Sequence, residues 1–216
     1  MTVFKLHNFF RSSTSTRLRV ALNVKGLPFE YASYVLRRGD TRTQEYLRMN
    51  PAGLVPVLER EDGKFMTQSL AIIEWLEEKY PLPALLPPDS DGKARVRSLA
   101  YMIACEVHPL NNLRVLGYLA DTFAADDDAQ RKWFTHWVTV TFDALETILA
   151  RDQETGDFCH GTEPTLADVC LYAQVWNNRR FDIEISKWPT ISRIFTALDA
   201  IPAFNTAAPP RQPDAS

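Results

Sequence analysis

Pro81-Leu82-Pro83-Ala84-Leu85-Leu86-Pro87-Pro88-Asp89 splits the chain into two parts of different periodicity. Prolines at 81, 83, 87 and 88 lack the N–H that a helix interior or a central strand needs, so the stretch reads as a linker, taken as 82–91. Immediately upstream, Ser69 is placed to cap an amphipathic helix with Leu70, Ile72, Ile73, Trp75, Leu76 and Tyr80 on its apolar face, and Pro81 stops it. Further back, Val55–Arg60 and Lys64–Thr67 read as a hairpin across Asp62-Gly63, Thr43–Met49 as a short helix and Phe29–Val35 as a strand. Val3–Phe9 reads as a buried strand, and Arg17–Lys25 carries Leu18, Val20, Ala21, Leu22 and Val24 with no breaker before Gly26. The order over 1–81 is therefore βαβαββα, an α/β unit with a mixed sheet of four strands.

Downstream, strand signals stop. Residues 92–122, 128–151, 165–178 and 188–199 each carry helical periodicity, so 92–216 reads as an all-α domain. Pro109 should kink or break the first of these helices. Thr165-Leu166-Ala167-Asp168 has the pattern of a capping box, a structural device. Trp133 and Trp137, four residues apart, read as packing residues of one helix face.

With 216 residues and 45% hydrophobic content the chain can bury a substantial core, and its net charge of -3 gives no global attraction to nucleic acid or anionic membrane. No apolar run reaches the roughly 18 residues that span a bilayer, and Met1–Lys5 has no signal-peptide character. A cytoplasmic protein with no nucleic-acid or membrane partner is expected. Cys105, Cys159 and Cys170 form no CxxC pair, and His7, His108, His136 and His160 are scattered, so reduced thiols and no metal site are expected.

Arg11-Ser12-Ser13-Thr14-Ser15-Thr16-Arg17-Leu18-Arg19 lies where the first strand hands over to the first helix. Ser and Thr are favoured at helix starts for backbone reasons alone, and one cap is all a helix needs. Five hydroxyls exceed that need. The first turn of a helix also presents unpaired N–H groups and a partial positive charge, which stabilise a bound anion such as a thiolate.

A small βαβαββα domain, a proline linker and an all-helical domain make up the plan of the cytosolic glutathione transferases, which this chain resembles. The resemblance implies a thioredoxin-like first domain and glutathione as cofactor. Asn50-Pro51-Ala52-Gly53-Leu54-Val55-Pro56-Val57-Leu58 is similar to the family's NPxxxVPxL segment, in which Val55 precedes a cis-proline, Pro56, and offers its backbone to the glutathione peptide. Gln68-Ser69 resembles the pair that opens the helix receiving the γ-glutamyl carboxylate. Arg11–Arg19 is similar to the SSCxxRVR signature of the zeta class, which includes the maleylacetoacetate isomerases. Gln68–Glu78, Arg180-Phe181 and Gln212-Pro213-Asp214 also resemble the zeta pattern. Thr14 stands where most zeta members carry cysteine, and His108 and Arg114 likewise resemble the bacterial maleylpyruvate isomerase branch.

The resemblance implies a cis–trans isomerase acting on a small dianionic cis-enedione, maleylacetoacetate or maleylpyruvate, and a homodimer. A double bond rotates once a thiolate has added beside its conjugated carbonyl, and elimination then returns the thiol. Free thiols titrate near 8.5, so lowering the pKa by about two units needs roughly 2.7 kcal/mol. One hydroxyl donor contributes about 1.5–3 kcal/mol and the helix terminus about 0.3–1 kcal/mol, sufficient without a charged base. Ser12 and Thr14 are the candidate donors, and Ser13 and Ser15 either cap the helix or touch glutathione. His108 is a glutathione contact or a packed neutral histidine, and Asn112 a further contact. Arg11, Arg114 and Arg180 are implied as donors to the acceptor's anionic ends. Arg179 should point away from Arg180, so one of that pair is expected at the acceptor. Arg37, Arg38, Arg42 and Arg48 read as a solvated basic face. Two alternatives stay open: a transferase that conjugates or dehalogenates small electrophilic acids, and a binding domain without catalysis.

Overall fold

The computed structural model describes residues 4–215, so Val3, the start of the expected first strand, lies outside the described residues, as do Met1, Thr2 and Ser216. Two compact units are present. The first contains the described residues up to Leu85 together with those from Ala200 onward, and the second contains Leu86–Asp199.

In the first unit β1 (Phe4–Asn8), α1 (Ser13–Val24), β2 (Phe29–Ser33), α2 (Gln44–Met49), β3 (Val57–Glu59), β4 (Phe65–Thr67) and α3 (Ser69–Lys79) follow the expected order. The sheet runs β2-β1-β3-β4, with β1 parallel to β2 and antiparallel to β3, and β4 antiparallel to β3. Leu6, Leu18, Leu22, Leu58, Ile72 and Leu76 are fully buried and form its core. β2, β3 and β4 are shorter than the runs assigned to them, and β3 starts only after Pro56, which has no N–H to give to a ladder.

Helix α1 starts four residues earlier than Arg17. Ser12 sits in extended conformation and its side chain accepts the Ser15 N–H, so Ser13–Thr16 are its first turn and not a loop. Its far end is closed by left-handed Gly26, with Gly26 N–H bonded to the Asn23 carbonyl and Leu27 N–H to that of Leu22. Ser69 does not cap α3. Gln68 holds the cap position with φ 69°, and Ser69 is the first helical residue.

In the second unit Asp89 caps α4 (Ser90–Tyr101) through the Gly92 N–H at 2.7 Å. The helix expected over 92–122 is broken. Pro109 offers no N–H and its ring would strike the carbonyl one turn back, and the chain widens into a π-turn over Met102–Val107 before the short α5 (His108–Leu110). Next come α6 (Leu113–Phe123), α7 (Asp127–Arg151), α8 (Leu166–Asn178) and α9 (Pro189–Asp199). Every residue of α8 except Trp176 is buried, so α8 is the core on which α4 and α9 pack. The Thr165–Asp168 capping box forms as expected.

The tail departs from the sequence division that put 92–216 in one domain. Its short α10 (Pro202–Asn205) packs on α1, and polar bonds tie the tail to α1 and β2. Cys105, Cys159 and Cys170 are not in disulfides. Among the described residues no cluster of His, Cys, Asp and Glu could hold a metal, and no helix is long and apolar enough to cross a membrane.

Candidate functional site

The hydroxyls at the start of α1 are joined in a hydrogen-bonded chain. Thr14 Oγ1 donates to the Val55 carbonyl at 3.0 Å, and Ser12 Oγ lies 2.8 Å from Thr14 Oγ1. The Thr14 proton is thereby spent on a carbonyl, so the Ser12–Thr14 bond has Ser12 as donor. Ser12 Oγ also accepts the Ser15 N–H, which draws charge from its oxygen and strengthens it as a donor. Ser12 and Thr14 are half-buried and Ser13 and Ser15 buried. Ser15 Oγ accepts the Phe9 N–H, so Ser15 holds the turn together.

Val55 ties this cluster to a second segment. The Val55–Pro56 bond is cis, as the resemblance implied, and Leu54 accepts from Tyr46 Oη and Asn50 Nδ2, both at 2.8 Å. Gly53 turns the chain into this segment with φ 64°, where a Cβ would lie 2.7 Å from Arg42 Nη1 and 3.0 Å from the Thr41 carbonyl. Gln68 and the buried Ser69 open α3, whose first turn contains no acidic residue. The donor set comprises a hydroxyl at one helix start, backbone groups beside a cis-proline and a second helix start. It fits glutathione, which needs a thiolate donor, a peptide partner and an anion site.

Two buried arginines, given no role from the sequence, lie on α1. Arg17, four residues after Ser13 and 2% exposed, presents Nε and Nη2 to no acceptor among the described residues. Its charge adds positive potential one turn from the helix start. Arg19, 1% exposed, bonds Phe10 O, Thr16 Oγ1, Asn8 Oδ1 and Ala207 O. The hint in the sequence was their place inside an otherwise apolar helix.

Of the implied acceptor arginines, Arg11 is in the first unit, exposed, 5.0 Å over the Phe10 ring. Arg114 and Arg180 are exposed in the second. Arg179 and Arg180 part as expected. Arg179 stacks on Trp176 at 4.2 Å and Phe195 at 4.9 Å, while Arg180 Nη1 reaches Asn177 Oδ1 at 3.2 Å. Phe181 stacks on Phe134 with centroids 3.9 Å apart, which anchors the turn carrying Arg180. His108 is half-buried at the end of the π-turn. Asn112 caps α6, its oxygen accepting the Arg114 N–H at 3.1 Å. Arg37, Arg38, Arg42 and Arg48 are all exposed, and Arg38 forks onto Asp40, a solvated pair.

The N-terminal domain family of the glutathione S-transferases matches residues 11–79. The chain is 46% identical to the maleylpyruvate isomerase of Ralstonia sp, covering 98% of this chain and all of that one. It is 41% identical to the maleylacetoacetate isomerase of Pseudomonas aeruginosa, covering 97% of this chain and 98% of the other. Among solved structures it is similar to a holo maleylpyruvate isomerase, described as a bacterial zeta-class glutathione S-transferase, with TM-score 0.96, 46% identity and coverage of 98% and 100%. A maleylacetoacetate isomerase from Methylobacterium extorquens AM1, solved with malonate and glutathione bound, gives TM-score 0.95 at 36% identity, with 98% and 99% covered. Similarity of this degree along the whole length, on top of the helix-start hydroxyls and the cis-proline segment, places the chain in the maleylacetoacetate and maleylpyruvate isomerase family of zeta-class glutathione transferases.

Proposed function

We propose that this chain is a glutathione-dependent cis–trans isomerase of maleylpyruvate or maleylacetoacetate, with the hydroxyl chain Ser12–Thr14–Val55 at its centre. That chain is the observation that carries the reading, because the Thr14 proton is held on the Val55 carbonyl, and the Ser12 proton, resting on Thr14 Oγ1 at the positive end of a helix, is the one that can turn to a bound anion. When bound, glutathione supplies the thiolate that adds beside the enedione carbonyl and leaves after rotation. Ser12 turns its proton from Thr14 Oγ1 to that sulfur while the Ser15 N–H holds its oxygen, and Thr14 keeps the Val55 carbonyl in place. The Val55 carbonyl has a second lone pair for a peptide N–H. Ser69 and the first N–H groups of α3 receive the γ-glutamyl carboxylate. Arg11, Arg114 and Arg180 serve the acceptor's carboxylates and the charge that develops on its carbonyl oxygen. His108 and Asn112 are assigned to glutathione, Asn112 through its amide nitrogen because its oxygen caps α6.

Loss of enedione absorbance, followed with both substrates in parallel, tests the reading. Arg180→Ala should raise KM for the dianion about 10- to 100-fold, the loss of one charged hydrogen bond, with KM for glutathione little changed. Parallel rises in both constants would remove Arg180 from the acceptor site. Thr14 and Arg114 favour maleylpyruvate as the preferred acceptor, and equal rates on both substrates would refute that preference. A cytoplasmic homodimer completes the proposal; sedimentation as a single chain would refute the dimer, and fractionation with membranes the compartment.

A further inference from the structure

Arg19 joins the hydroxyl turn to the end of the chain. Its Nη2 donates to Phe10 O at 3.0 Å and to Thr16 Oγ1 at 2.8 Å, the two ends of the turn that bears Ser12. Thr16 Oγ1 in turn donates to Ser12 O at 3.1 Å, and Ser12 N–H to Phe9 O at 3.0 Å. Nη1 reaches Asn8 Oδ1 at 2.9 Å, and Asn8 Nδ2 is bonded to the Leu6 and Ala32 carbonyls of β1 and β2. Nε is bonded to Ala207 O at 3.0 Å, in the tail.

We propose that Arg19 is a positioning residue for the thiolate donor Ser12, and that the C-terminal segment from Ala200 onward is the lock that holds Arg19 in place. The proposal rests on the thiolate reading of Ser12 and deepens it. A buried guanidinium is costly unless every donor is met and an anion lies near. Ala207 meets one donor, and Asp214, also in the tail, supplies the anionic field. Asp214 is itself fixed by Tyr31 Oη at 2.6 Å and by the Ser33 hydroxyl. Burial pulls Arg19 down to about 10, with Tyr31 and Asp214 opposing, so it keeps its charge at neutral pH. Asn23 holds the same segment through Ala203 O and Thr206 Oγ1, and Gln212 folds it on itself through the Thr206 and Ala208 carbonyls. Without the tail, Arg19 gains water and loses its reason to stay on Phe10 and Thr16. The Ser12 hydroxyl then loses its fixed aim.

Two variants test this: a chain ending at Asn205, and Asp214→Asn in the full chain, which retains an acceptor oxygen but no charge. The thiolate absorbance of bound glutathione is titrated against pH, beside kcat and KM. The shortened chain should show about tenfold less thiolate below the wild-type pKa, a shift of about one unit, and Asp214→Asn a shift of the same sign. KM for glutathione should hold, because Val55, Gln68 and Ser69 are untouched, and kcat should recover at high pH. A thiol that titrates as in the wild type in Asp214→Asn and the shortened chain would overturn the lock while leaving the thiolate reading intact. A wild-type thiol at its solution value would overturn both.

Discussion

Ser12→Ala should raise the pKa of the bound thiol by one to two units and slow isomerisation about 10- to 100-fold at pH values below it. The magnitude is that of one hydrogen bond to a charged group, about 1.5–3 kcal/mol, at 1.36 kcal/mol per unit. The sign follows from what is lost: a donor that favours the anion, so less thiolate is present at any pH below the raised pKa. Ser12 also caps α1, and its removal costs about 1 kcal/mol of stability. Ser12→Gly separates the two effects, because glycine is nearly as good a cap while offering no hydroxyl. Thr14→Val should shift the thiol less, by about 0.5–1.5 kcal/mol, since the bonds it removes, to the Val55 carbonyl and from Ser12, are both neutral and neither is made to the thiolate. Titrating the thiolate in all three variants checks the ranking. A larger shift in Thr14→Val than in Ser12→Gly would make Thr14 the donor.

Asp168→Asn should destabilise the helical unit by about 2–5 kcal/mol, one or two charge-assisted bonds lost at about 1.5–3 kcal/mol each, a large part of the roughly 5–15 kcal/mol of a typical domain. Asp168 is 0% exposed and accepts three bonds, from Cys159 N–H and Thr165 N–H at 2.8 Å and from Thr165 Oγ1 at 2.7 Å. An asparagine has one acceptor oxygen, and its NH₂ would face a donor. The box starts α8, whose other end carries Asn177 and the Arg180 turn, so the loss propagates to the proposed acceptor donors. A urea midpoint read by tryptophan fluorescence measures it. A cost under about 1 kcal/mol would mean that buried water replaces the carboxylate.

The βαβαββα order was legible because each element carries its own period and its own stop, as with Asp62-Gly63 between β3 and β4 and Pro81 after α3. The start of α1 was not, because hydroxyl residues suit both a turn and a first helical turn, and the Ser12–Ser15 bond that decides between them is a three-dimensional fact. Gln68 as cap was hidden for a similar reason: its left-handed backbone is uncommon for a residue with a Cβ. Pro109 announced a break but not the π-turn that accommodates it. At the site, Ser12, Thr14 and Val55 were named from motifs and prove to be bonded to one another. The tail's return to α1 could not be read, since it depends on Arg19 meeting a carbonyl 188 residues away.

The most direct test supplies glutathione at a small fraction of the enedione concentration and follows the reaction to its end. Complete conversion to the trans product, with glutathione recovered unchanged, is the predicted result. A reaction that stops when glutathione is used up, leaving an adduct, would contradict the account and make the chain a conjugating transferase.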